Sequence, residues 1–526
     1  MTLTKIFIIC IVIGIALTLI VEFVFKKRKS WLISFVQNFA GAFFLFSGLV
    51  KAVDPLGLAY KMEQYFAEFQ DTFARLGMEG FSNLFPMLSE ISTPFAVFMI
   101  VLELVVGVAL IIGFSRFATA LTFFGLIVFF AILTGFTHLT GYVPSQDYVT
   151  IENSGVKKEV LESEATKLIK EGWVPRDTTE MNFFKFSKWV PFDEANQKVT
   201  DCGCFGDYLV LKPKTSFYKD LILFLPAFLL LFGFKKMHQV FKPGVRWGLV
   251  LASTVGFTIY NLSNYKWDIP ANDFRPFKNG VNIAETKAAE VEAAENAPVT
   301  YQLTNKGSGE QINLEMNDYI SQYKKYPKTA WDIVQKRGEP TVKTTKISDF
   351  ECSDVDGNDV TEEILSNPDY SFMIISYKLK NTLSSRTMTY NDTTFIQDTF
   401  KVSKDSIRIE PRLVSVDPKV KEVDVYNWNA DLVSDYKRII NPLAAKGKAA
   451  NINTYVITAY ASAEKLNSFR ETIGGDYPFY TADDILLKTI VRSNPGVILM
   501  KEGKIIHKWH KSKVPSFEEI KRDYMR

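Results

Sequence analysis

The chain has 526 residues, 47% hydrophobic and 23% charged, with 61 basic against 58 acidic side chains and a formal net charge of +3. That length exceeds what one hydrophobic core holds, since single cores stop growing at about 250 to 300 residues, so at least two structural units are required. The balanced charge lacks the basic surplus that a phosphate backbone demands and argues against a nucleic-acid partner, and four cysteines (Cys10, Cys202, Cys204, Cys352) are too few for a disulfide-stapled scaffold.

Residues 1–264 are dense in Phe, Leu, Ile and Val, whereas residues 265–526 are polar and mixed in charge. Six stretches in the first half approach the roughly 20 apolar residues that a membrane-spanning helix needs. They are Ile6 to Phe25, Trp31 to Val50, Pro94 to Phe114, Ala118 to Phe136, Phe217 to Phe234 and Trp247 to Asn264. The first reads as a retained anchor rather than a signal peptide, because Lys26 to Lys29 follow it directly with no small-residue cleavage site.

Basic residues cluster in three short connections, at Lys26 to Lys29, at Arg116, and at Lys235, Lys236, Lys242 and Arg246. The positive-inside rule makes these loops cytoplasmic. It therefore places both termini, the loop from Lys51 to about Ser92 and the loop from about Thr137 to Ser216 outside, with the chain in the cytoplasmic (inner) membrane and the large C-terminal domain in the periplasm. Few charges fall inside the spans. Glu103, in the middle of the third, is costly in hydrocarbon without a polar partner, which allows either a role in a proton or quinone pocket or a helix-packing hydrogen bond with Gln37 or Asn38. Asp54-Pro55 and Gly57 form a turn signal, with Asp54 placed to cap a helix beginning near Leu58.

The sharpest local feature is Val199-Thr-Asp-Cys202-Gly-Cys204-Phe-Gly-Asp207, just before the fifth span. A glycine between two thiols permits the tight backbone that brings Cα atoms into the roughly 4.4 to 6.8 Å disulfide window. Such a small ring is strained and suits a redox relay better than a staple. A turn with two buried thiols is the bland alternative. No further ligand completes a tetrahedral metal site, His138 being the nearest histidine at the outer face.

With these residues in view, FSGLVKAVDPLGLAYKMEQYF (Phe46 to Phe66) and TDCGCFGDYLVLKPKTSFYKDLIL (Thr200 to Leu223) resemble the DoxX/DoxD-like and MauE-like family of four-helix membrane proteins, over about residues 30–240. The resemblance implies membrane redox work: quinone-linked sulfur oxidation, membrane oxidoreductase complexes or, in the MauE branch, making the disulfides of methylamine dehydrogenase. Quinone is the cofactor class it raises. Only Cys202 and Cys204 carry over to a motif with chemical content.

In the second half, Thr286 to Pro298 is rich in Ala and Glu and reads as a semi-rigid helical linker. Tyr301 to about Lys346 reads as a small lead-in module. From Ile347, strands and helices alternate: Phe372 to Leu379, Ala430 to Ala445, Asn451 to Tyr460, Ser462 to Thr472, then a hairpin over Pro495 to Trp509 turning at Glu502-Gly503. This order, with Asn494-Pro495 just before the hairpin, is similar to thioredoxin-like domains of the peroxiredoxin and TlpA type, in which that proline is cis. The resemblance stops at the catalytic corner, where Lys380-Asn-Thr-Leu-Ser-Ser385 carries no cysteine and residues from about Arg386 to Val425 look inserted. Cys352 is a lone thiol.

The sequence thus predicts an α-helical membrane bundle of six transmembrane helices with a DoxX-like four-helix core, plus a soluble α/β thioredoxin-like domain. The segments are an anchor (1–30), the four-helix domain (31–240), a sixth span (241–264), a linker (265–298), the lead-in module (299–346) and the thioredoxin-like domain lacking Cys-x-x-Cys (347–526). The expected function is a membrane component of an extracytoplasmic thiol/disulfide or respiratory redox system. Cys202 and Cys204 are its candidate redox pair, Glu103 is a further candidate, and the soluble domain meets an extracytoplasmic client or complex partner. A noncatalytic scaffold of an envelope or secretion complex is the alternative.

Overall fold

The computed structural model describes residues 2–75, 78–140, 148–153, 156–161, 173–176, 199, 203–338, 340–403 and 406–525. The chain divides into two compact units, Met1–Arg275 and Pro276–Arg526.

The first unit is helical. In chain order come α1 (Leu3–Phe23), α2 (Trp31–Val53), α3 (Pro55–Arg75), the short α4 (Glu79–Ser82) and α5 (Leu84–Glu90), α6 (Ser92–Ile112), α7 (Arg116–Thr140), α8 (Pro213–Gly233) and α9 (Pro243–Leu262). Between α7 and α8 lie three short strands, β1 (Tyr148–Asn153), β2 (Val156–Leu161) and β3 (Val174–Arg176), in the order β2-β1-β3. Among the described residues, five helices are long and apolar enough to cross a bilayer: Leu3–Phe23, Trp31–Val53, Ser92–Ile112, Arg116–His138 and Pro213–Lys236. The chain is thus a multi-pass membrane protein on length and composition. The sixth expected span does form a helix, α9, with 20 residues, but Arg246 and the polar residues Ser253, Thr254, Thr258 and Asn261 dilute its apolar character below that of the other five.

Packing brings α2 and α6 close together at small residues. A Cβ on Gly41 would sit 2.9 Å from the Gly107 carbonyl oxygen, so the two backbones approach there as only glycine allows. At one end of the bundle the three basic loops meet: Lys29 Nζ donates to the Lys235 carbonyl (3.2 Å), Arg246 Nη1 to the Gly113 carbonyl (2.7 Å), and Val240 N to the Ile112 carbonyl (3.1 Å). Gln37 locks this end, its Nε2 donating to the Leu110 carbonyl at 2.6 Å and its Oε1 accepting from His238 N at 3.1 Å. Gly113 closes α6 at φ +64°, where a Cβ would collide with the His238 carbonyl. At the other end, Asn264 Nδ2 donates to the Ala52 carbonyl (2.8 Å). The loop expected after α2 is mostly the amphipathic α3, and Asp54 does cap it: its Oδ1 accepts from Gly57 N at 3.2 Å, with the helix starting at Pro55 rather than near Leu58.

The second unit opens with α10 (Ile283–Glu295), the Ala/Glu-rich stretch. Ile283 and Ala293 are buried, and Glu290 accepts from Thr345 N and Oγ1 at 2.9 and 2.7 Å, so this helix is anchored on the unit. Strands β4 (Val299–Asn305), β5 (Gln311–Glu315) and β6 (Trp331–Arg337) form an antiparallel sheet of order β5-β4-β6, with α11 (Met316–Gln322) beside it.

The main sheet then builds from β7 (Ser371–Ser376), β10 (Asn453–Ala459), β11 (Phe479–Ala482), β12 (Gly496–Lys501) and β13 (Lys504–His510), in the order β11-β10-β7-β12-β13. β7, β10 and β11 are parallel, while β12 runs antiparallel to both β7 and β13. Every residue of β7 is buried, as its uninterrupted apolar run requires of a central strand. Helices α12 (Thr361–Ser366), α13 (Ala430–Asp435), α14 (Asn441–Ala449), α15 (Ala463–Ile473), α16 (Asp484–Ile490) and α17 (Phe517–Tyr524) complete the unit. A π turn at Tyr436–Ile440 joins α13 to α14 ahead of Pro442, whose missing N–H breaks the regular ladder. The Asn494-Pro495 peptide is cis, and the β12–β13 hairpin turns at Glu502 (φ 50°) and Gly503 (φ 70°), a primed turn.

The stretch that looks inserted is a long antiparallel ribbon. β8 (Asn381–Ser403) and β9 (Ser406–Trp428) have 23 residues each and pair with each other alone. At ~3.3 Å per residue, such a ribbon extends roughly 75 Å.

Candidate functional site

The Cys-Gly-Cys loop enters the bundle through a short 3-10 segment, Gly203–Tyr208, that kinks at Phe205 and Gly206. Phe205 is fully buried, with ring centroids 6.0 Å from Phe43 and 6.2 Å from Phe46, and it anchors the loop against α2. Ser47 Oγ donates to the Cys204 carbonyl at 3.2 Å, and Cys204 itself is buried. Gly203 packs on Lys61 of α3, where an added Cβ would stand 3.3 Å from the lysine Cγ. Cys202 lies outside the described residues, as does Asp201.

Cys204 forms part of the wall of a small cavity shared with Lys51, Met62, Tyr65, Phe130 and Thr134. Its volume is about 20 Å³, room for one water molecule. Drug-sized and cofactor ligands occupy pockets of about 300 to 1,000 Å³, so this cavity, as the described residues wall it, does not fit a quinone.

One buried ion pair borders this cavity through Lys51, and a second reaches it through Thr134. Lys51 Nζ pairs with Glu103 Oε2, with side chains 2% and 3% exposed, and the same ammonium lies 4.9 Å from the centroid of Phe130. Lys219 pairs with Asp220, also buried, and Thr134 Oγ1 stands 2.9 Å from Asp220 Oδ2. Thr134 therefore touches one ion pair while sharing the cavity wall with a lysine of the other. Buried charges persist only when compensated, and pairing explains why four charged side chains sit in otherwise apolar helices.

Glu103 thus has a polar partner, but not one of those expected. Gln37 is committed to the basic-loop end, and Asn38 Nδ2 donates to Thr18 Oγ1 at 3.1 Å. Sequence alone does not single out Lys51, because it stands beside the Asp54-Pro55 turn and reads as a flanking surface charge. The signal was there in outline: helices α2 and α6 each carry a charge of opposite sign, and small residues at Gly41, Gly48 and Gly107 mark the faces that meet.

In the second unit, the corner after β7 leads into Asn381 of β8 and contains no thiol. Cys352 is 1% exposed, and burial, with Asp359 nearby, pushes its thiol up to about 12. A thiol so placed is an inert core residue.

Comparison with protein-family models, with characterised proteins and with solved structures gives no match.

Proposed function

We propose that the chain is a component of an extracytoplasmic thiol/disulfide exchange system in the cytoplasmic membrane, with Cys202 and Cys204 as the exchanging pair and the α/β unit as the module that binds client or partner protein. The observation that carries this reading is the placement of Cys204 on the wall of a small cavity that Lys51 and Thr134 also line, which sets the thiol beside polar groups inside an otherwise apolar bundle. In the exchange, the Cys202 thiolate attacks a client disulfide and one client sulfur leaves as thiolate. Cys204 then attacks Cys202 of the mixed disulfide, releasing the second client thiolate and closing the Cys202–Cys204 bond. The client is reduced by two electrons and the pair oxidised by two, so the exchange balances by itself; the reverse direction oxidises a client dithiol. No step passes through a quinone.

The membrane assignment with six spans is supported by α9. Its first turn is tied to the basic-loop end through Arg246 and Gly113, and the turn after it to the opposite end through Asn264 and Ala52. At ~1.5 Å per residue, its 20 residues cover about 30 Å, the thickness of the hydrocarbon layer. The meeting of all three basic loops at one end supports the orientation with the termini and the Cys-Gly-Cys loop outside. A thioredoxin-like reading of the second unit is supported by its strand order. Counting β7, β10, β12 and β13 as strands one to four gives the order 4-3-1-2, with strand three antiparallel to the strands beside it and β11 added at the edge.

Trapping of thiols in intact membranes tests the proposal. A fraction of the isolated protein should carry a Cys202–Cys204 disulfide, seen as a two-thiol difference in alkylation before and after reduction. Fully reduced cysteines in oxidising medium would contradict it.

A noncatalytic scaffold remains the second reading, favoured by the ribbon. An isolated two-stranded hairpin is marginal in water, yet β8 and β9 expose Leu383, Met388, Tyr390, Ile396, Leu413, Val416 and Val420. Such a surface suits a partner. Replacing Arg386 to Val425 by a tight turn should abolish copurification of that partner while leaving the Cys202/Cys204 exchange intact; loss of exchange alone would favour the client-binding role.

A further inference from the structure

We propose that the α/β unit carries an anion-binding site at the carboxyl ends of its two central parallel strands. A cavity of about 480 Å³ opens there, walled by the end of β7 and the start of the ribbon (Tyr377 to Asn381) and by the end of β10 and the turn after it (Thr458 to Ala461), with Lys465 of α15. Its volume falls within the range of small-molecule sites. The crevice outside the carboxyl ends of adjacent parallel strands is also where open α/β sheets place ligands.

Charge decides the ligand class. Lys378, Lys380 and Lys465 line the cavity, and no carboxylate does. Some lysines of this unit do find acids: Lys446 pairs with Glu518, Lys448 with Asp476, Lys488 with Asp484 and Lys511 with Asp435. The three cavity lysines have no such partner among the described residues. Three like charges on the wall of one cavity repel one another, and a bound anion relieves that repulsion. Neutral groups hold the end of β7 beside the cavity: Asn494 Nδ2 donates to the Lys378 carbonyl at 2.8 Å, and Ser376 Oγ to Asn494 Oδ1 at 3.1 Å. Tyr377 and Tyr460 add aromatic walls. The ligand is accordingly a small organic or inorganic anion with at least two negative charges, borne by carboxylate or phosphoryl groups.

This site is independent of the thiol pair. Calorimetric titration of the full-length, detergent-solubilised protein with citrate and, separately, with inorganic pyrophosphate distinguishes the two anion chemistries, with sodium chloride of matched ionic strength as the control. Saturable one-to-one binding of at least one anion is expected. It should weaken at least tenfold in the triple variant Lys378→Gln, Lys380→Gln, Lys465→Gln and severalfold in Lys465→Gln alone, whereas Lys446→Gln should bind as the parent does. Absence of saturable binding with both anions overturns the proposal, as does undiminished binding in a triple variant that melts like the parent.

Discussion

Lys51 on α2 and Glu103 on α6 form an ion pair whose side chains are almost completely withdrawn from the surface, on helices that approach through Gly41 and Gly107. Removing one member leaves the other as an unpaired buried charge, which costs about 3 to 5 kcal/mol. Lys51→Met or Glu103→Gln alone should therefore lower the thermal midpoint of the detergent-solubilised protein clearly, and the double variant should recover much of the loss. Equal and additive losses would show that the two charges are not coupled.

His238 supplies a pH-dependent element at the basic-loop end. Burial lowers its pKa from 6.5 to about 4, an effect opposed by the Ile111 carbonyl, which lies 3.0 Å from Nε2, and increased by Arg116. The folded state holds the imidazole neutral while the unfolded chain binds a proton below about 6.5, so its contribution is complete above that pH and is lost as pH falls toward 4. The drop in thermal midpoint between pH 7 and pH 5 should be smaller in His238→Gln than in the parent. An unchanged drop would mean that His238 titrates normally.

The basic loops fix the expected topology. A reporter active only in the cytoplasm should stay dark when fused after Arg526 and should work when inserted between Lys27 and Arg28. Activity from the C-terminal fusion would reverse the compartment assignment, and with it the oxidising environment that the Cys202/Cys204 reading requires.

The α/β unit has no thiol at its corner, and Cys352 is buried with its thiol held protonated up to about pH 12. Full-length protein with Cys202→Ser and Cys204→Ser should show no disulfide reductase activity, and Cys352 should resist alkylation until the unit is unfolded. Turnover that disappears on adding Cys352→Ser would make that residue reactive after all.

The helices and the central sheet were legible because their signals are local and periodic. The unbroken apolar run of β7, the helix expected over Ser462 to Thr472 and the Glu502-Gly503 turn each begin within a residue of where the sequence places them. What escaped is non-local. Nothing near Glu103 names Lys51, 52 residues earlier, as its partner, and Thr134 acquires meaning only where α7 meets Asp220 of α8. The ribbon escaped for a different reason: Arg386 to Val425 lacks strict alternation of apolar and polar residues, several of its apolar side chains among the described residues are exposed, and so it reads as an insertion without shape. Of the Cys-Gly-Cys loop, the sequence offers two thiols and a glycine, and the fold adds the cavity that Cys204 shares with Lys51.

The most direct test of thiol exchange is capture of a client on the Cys204→Ser variant, in which the Cys202 thiolate still attacks but no resolving thiol remains. Membranes quenched with acid and alkylated should yield a mixed disulfide between this chain and a second protein, cleaved by reductant and absent from both the parent and the Cys202→Ser, Cys204→Ser double variant. If Cys204→Ser accumulates no adduct, and the double variant leaves the thiol state of every extracytoplasmic protein unchanged, then the pair only shapes a loop and the exchange account is wrong.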